Sequence, residues 1–95
     1  MINEDDYLIF PFEFNEFPKV RIHKIRNNNE YILTDDGIII EFLRANKVED
    51  DAIKRIADKY SVKLLDNQLQ IQTPINELKM GKDRMLQTIL ELKAQ

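Results

Sequence analysis

Two acids stand side by side at Asp35 and Asp36, and a third, Glu41, follows within one turn of the helix that begins after them. Carboxylates gathered like this could hold Mg²⁺ or assist hydrolysis. The same residues also make a strand-ending turn whose Asp caps the next helix, with its negative charge at the positive helix end. Adjacent residues on a strand point to opposite faces, so a shared site would require the turn to swing both acids together.

A second constellation is basic. Lys19, Arg21 and His23 alternate with Val20 and Ile22, and Lys24 and Arg26 follow. Such a row suits an acidic protein surface or phosphate. It also suits a solvated strand face or an edge that charge protects from aggregation. The third constellation is aromatic. Phe10, Phe12, Phe14 and Phe17 hold four of the eight aromatic residues within eight positions. Phenylalanines in that density are either core or binding anchors. Tyr7 and Tyr31 add rings on which a base could stack.

Other chemistries lack their parts. His23 is the lone histidine, and no spaced ligand pattern accompanies it. No serine elbow supports a nucleophilic triad. The two glycines, Gly37 and Gly81, lie far apart, so there is no glycine-rich phosphate loop. There is no cysteine, hence no disulfide framework, thiolate zinc site or thiol nucleophile. The expectation is a protein that is not an enzyme and has no catalytic residue, metal ligand or cofactor.

Length sets what can position these residues. At 95 residues the chain has room for one domain, 1–95, with residues 1–18 as an aromatic and acidic leading segment that could form an edge strand. A core this thin supports a net stability of about 5 kcal/mol. Small secreted domains usually need staples, so a cytoplasmic setting is expected, and no apolar run is long enough to span a bilayer. Net charge is −3, but its distribution is lopsided. Residues 1–18 carry five acids and no base, and residues 19–26 carry four bases and no acid.

The periodicities give the elements. Phe10, Phe12 and Phe14 alternate with Pro11 and Glu13, a strand demoted to an edge by its proline. Val20 and Ile22 predict a half-buried strand with a basic outer side. Asn27 to Asn29 turn it back into Tyr31-Ile32-Leu33. Ile38, Ile39, Phe42 and Leu43 predict a helix over 38–45. Asp50 can cap a second helix, whose stripe is Ile53, Ile56, Ala57 and Tyr60. Val62 and Leu64, then Leu69 and Ile71, alternate on either side of Asp66-Asn67, a hairpin. Thr73 and Pro74 then predict a helix start, with Gly81 breaking the helix and leaving a regular part over 82–93. Strands grouped in hairpins rather than alternating with helices predict an α+β fold: a small antiparallel sheet with about three helices on one face.

The stretch Tyr31-Ile32-Leu33-Thr34-Asp35-Asp36-Gly37, leading into a short apolar helix, resembles a family of bacterial and phage proteins. That family is known only as a domain of unknown function, number eighteen-twenty-eight. Ile56 to Leu69 and Gly81 to Leu90 are similar to its later helix-and-hairpin and its closing helix. The likeness runs from Val20 onward, and the aromatic start departs from it. The resemblance implies a small accessory protein of phage or mobile elements and supplies no catalytic residues.

The function expected is therefore protein–protein interaction. Phe10, Phe12, Phe14, Phe17, Lys19, Arg21, Lys24 and Arg26 are the candidate partner-binding residues. A concrete form is an inhibitor of a bacterial defence system, for example an anti-CRISPR, that acts by occlusion. Nucleic-acid binding or regulation through the basic strand 19–26 is the alternative, and a metal-dependent hydrolase at Asp35 and Asp36 comes last. A homodimer is compatible with each reading, and no membrane role is expected.

Overall fold

The computed structural model describes residues 7–10 and 20–95. Five strands form one sheet: β1 (Tyr7–Phe10), β2 (Val20–Asn27), β3 (Glu30–Thr34), β4 (Lys63–Leu65) and β5 (Gln68–Pro74). Their order is β1-β2-β3-β5-β4, and every neighbouring pair is antiparallel. Three helices, α1 (Ile38–Ala45), α2 (Asp50–Lys59) and α3 (Leu78–Lys93), complete the α+β fold expected from the sequence. No helix among the described residues is long and apolar enough to cross a membrane.

Two tight hairpins supply four of the five strands. Asn28 turns β2 into β3 with φ 58°, and Asp66 and Asn67 turn β4 into β5 with φ 51° and 62°. A two-residue hairpin takes positive φ at both central residues, as at Asp66-Asn67, or at the first alone, as at Asn28, and Asp and Asn tolerate it. β1 (Tyr7–Phe10) lies at the sheet edge. Residues 11–19 lie outside the described residues, and the expectations placed on Phe12, Phe14, Phe17 and Lys19 lie there with them.

Cross-strand register assigns each residue to a face, because directly opposed residues point the same way. One face carries Val20 and Ile22 of β2, Leu33 of β3, and Leu69, Ile71 and Thr73 of β5. All six are buried, against Ile39, Ile40 and Leu43 of α1, Ile53, Ile56 and Ala57 of α2, and Met85, Ile89 and Leu92 of α3. The helices thus cover one face only, and the described residues leave the other open.

Helix boundaries depart from the sequence expectations in three places, each for a local reason. Asp50 does not cap α2: Glu49 holds the cap position without a side-chain bond, and Asp50 pairs with Arg44 at 2.9 Å. Thr73 and Pro74 do not start a helix. They finish β5, where Thr73 pairs with Tyr31, and a short 3₁₀ turn over Ile75–Glu77 leads into α3. Gly81 does not break α3, which runs through it unbroken. A Cβ at Gly81 would sit 3.1 Å from Cβ and Cγ2 of Thr73, so the missing side chain lets helix and strand approach closely.

Both α1 and α2 end without glycine. Lys47 (φ 64°) and Ser61 (φ 59°) take the left-handed position, and Val48 and Val62 bond back to Leu43 and Ala57. The buried or half-buried valine that follows each turn anchors it.

Candidate interaction face

Three structural facts locate the acids. β3 ends at Thr34, and Asp35 turns inward, 1 % exposed. One carboxylate oxygen of Asp35 accepts the N–H groups of Gly37 (3.0 Å) and Leu69 (2.8 Å); the other accepts those of Ile39 (3.0 Å) and Ile40 (3.2 Å). Asp35 therefore satisfies the free N–H groups that open α1 and ties them to β5. It does so from two residues ahead of the formal cap, Gly37, which sits at φ 81°. Burial pushes the Asp35 carboxyl above its ordinary value, and the four N–H donors pull against that.

Asp36 takes the opposite direction. Its φ of 57° carries it outward, where Oδ1 lies 3.2 Å from Nδ1 of His23. The Thr34 hydroxyl accepts the Asp36 N–H and donates to the Gln68 amide oxygen, locking the turn. The turn thus separates the adjacent acids. A polar cleft of about 350 Å³ takes in Asp36, Glu41, Arg44 and Asn67 but not Asp35. Arg44 spans it, donating to Asn67 at 2.7 Å and to Asp50. Among the described residues, no group of three or more His, Asp or Glu is placed to hold a metal ion.

The basic row also divides. Arg21 and His23 lie on the open face, as the alternation with Val20 and Ile22 requires. Lys24 and Arg26 fall on the helix-side face, at its far end, where they flank the Tyr31 ring at 5.0 and 5.8 Å. The run of four bases is therefore not one patch. Phe10 pairs with Val20 at the end of β1.

What the open face gathers is different. Tyr7, His23, Thr34, Gln70 and Lys63 stand at one register level across all five strands. Tyr7 stacks on His23, with centroids 4.8 Å apart, and the Arg21 guanidinium lies 4.2 Å from the Tyr7 centroid. Ile25 opposes Ile32 at the next level. Tyr7 (37 %), Ile9 (47 %), Ile25 (38 %) and Leu65 (47 %) are exposed here. They are four of the seven exposed large hydrophobic residues among those described, the others being Ile38, Met80 and Leu90. Ile25 and Leu65 escaped the sequence reading, although continuing the alternation outward from Arg21 and His23 reaches Ile25 directly.

The profile of one protein family matches residues 10–92. The chain belongs to the family described as Domain of unknown function DUF1828. The match extends ahead of Val20, taking in residues that the resemblance left out. No curated protein and no solved structure matches the chain. In this member of the family, the Thr34-Asp35-Asp36-Gly37 turn does structural work, joining β3, α1 and β5 through Asp35 while setting Asp36 beside His23.

Proposed function

We propose that the chain is a non-enzymatic protein-interaction module that docks a partner protein on the open face of its sheet. One observation carries the reading: most of the large apolar side chains left exposed among the described residues lie on that face. Exposed apolar side chains gathered on one face mark interaction sites. The sheet beneath is held by a buried core, so the face is presented in one shape.

The work of such a module is occlusion, which needs about 800 Å² per partner and no catalytic group. Its concrete form is a cytoplasmic protein of phage or mobile elements that inhibits a bacterial defence system, for example an anti-CRISPR. Nucleic-acid binding has one observation in its favour, the Tyr7–His23 stack beside Arg21. Protein is the better match because, among the described residues, the face offers a single exposed aromatic ring and several aliphatic side chains.

A pull-down from host lysate tests the proposal. Ile25→Asp/Leu65→Asp places charge on the open face at two exposed positions. It is expected to lose partners that wild type retains. Met80→Asp, at an exposed site on α3, is expected to retain them. Phe14→Ala/Phe17→Ala reports separately on the leading segment. Equal recovery of every partner by the open-face variant and wild type would overturn the proposal.

A further inference from the structure

We propose that the open face takes an extended acidic segment of a partner protein, whose carboxylates reach Arg21 on one side of the sheet and Lys63 on the other. The inference rests on the interaction reading above and names the partner's chemistry. Its basis is which charges on the face are already satisfied. Glu30 accepts a hydrogen bond from Gln72 at 2.6 Å, and Asp36, at the rim, faces His23. Each acid keeps its charge but already has a hydrogen-bond partner. The cations have no such partner: among the described residues the Arg21 side chain meets only the Tyr7 ring, and the Lys63 side chain has no hydrogen bond or ion pair. Among the described residues, a partner that lays carboxylates on this face meets two cations with no anionic partner, while Glu30 stands at the opposite end of β2–β3 from Arg21 and Asp36 is turned to His23, which favours encounter and register.

The geometry sets the spacing. Arg21 and Lys63 are three strands apart and offset by two residues along the strand, hence about 16 Å apart at the backbone. An extended chain covers that distance in about five residues. Between the two cations lies the Gln70 side-chain amide, and along one side runs the Ile25–Ile32 pair for apolar side chains. A second copy fits less well, because among the described residues its open face brings Arg21 and Lys63 along with Glu30 and Asp36 and so offers no excess of carboxylates. A single nucleic-acid strand would find, among the described residues, one exposed ring to stack on.

A random short-peptide library, panned against the immobilised full chain, tests this. The expected survivors carry net negative charge, with two acids about five residues apart. Measured by fluorescence anisotropy, they bind wild type, weaken about tenfold or more with Arg21→Glu/Lys63→Glu, and weaken further as salt is raised. Survivors without an acidic excess, no survivors at all, undiminished binding to the charge-reversed variant, or tighter binding of oligothymidylate than of any peptide would each overturn the inference. Neutral survivors that are lost on Ile25→Asp would leave the interaction face standing and remove only the acidic partner. Survivors indifferent to both variants would remove both.

Discussion

Asp35→Asn is expected to cost the fold about 2–4 kcal/mol, most of what a domain of this size has. The substitution keeps shape and volume but replaces one carboxylate oxygen with an NH₂ group. Four backbone N–H groups converge on Asp35, two on each oxygen. Whichever way the amide turns, two N–H donors face another donor. Each buried donor left unmet costs about 1–3 kcal/mol. Either orientation also weakens one of the two connections Asp35 makes, to the first turn of α1 or to Leu69 of β5. Asp36→Asn is the control, since Asp36 is exposed and meets only His23 through its side chain. It is expected to change stability by less than about 0.5 kcal/mol. Urea unfolding measures both, and equal midpoints for the two variants would refute the role assigned to Asp35.

The second large effect is expected at Arg84. Its guanidinium reaches from α3 to the end of α2, donating from Nε to the Tyr60 carbonyl at 3.1 Å and from Nη2 to the Ser61 carbonyl. Those carbonyls lie where α2 leaves its last turn through the left-handed Ser61. A cation there satisfies free acceptors and complements the negative end of the helix. Arg84→Met keeps the apolar stem and removes both bonds, at an expected cost of about 1.5–3 kcal/mol. Arg84→Lys supplies one donor group and is expected to recover part of that. Nearby, Glu91 accepts from Tyr60 and Lys59, and these bonds hold its carboxyl below the usual value. A depressed folded value gives stability that is present above the unfolded value and lost as pH falls through the folded one. The stability loss in Arg84→Met should therefore be assayed at neutral pH, where this second link between α2 and α3 is intact.

Much of the fold was legible because its signals are local. The limits of α1 follow from Gly37 and the spacing Ile38, Ile39, Phe42, Leu43. The β4–β5 turn follows from Asp66-Asn67, two residues that accept positive φ between alternating runs. The errors came from contacts distant in sequence. Gly81 looks like a helix breaker until Thr73 is brought against it. Thr73-Pro74 has the composition of a helix start, but its pairing with Tyr31 and Glu30 keeps it in the sheet. Helix ends at Lys47 and Ser61 carry no glycine to announce them.

The site was legible in part. Arg21 and His23 were placed outward correctly, because a period of two sets a strand's faces without knowledge of its partners. The same period puts Lys24 and Arg26 on the other side, a consequence that a run of bases conceals. Lys63 and Leu65 are more than forty residues further along and join Arg21 only through the strand order β2-β3-β5-β4. Nothing local in the sequence links them.

The most direct test of the open sheet face is lysine footprinting of the chain with a partner recovered from lysate. Acetylation of Lys63, on that face, is predicted to fall sharply in the complex, while Lys54 on α2 and Lys82 on α3 keep their reactivity. Protection of Lys54 and Lys82 with Lys63 still reactive would place the partner on the helices and contradict the account.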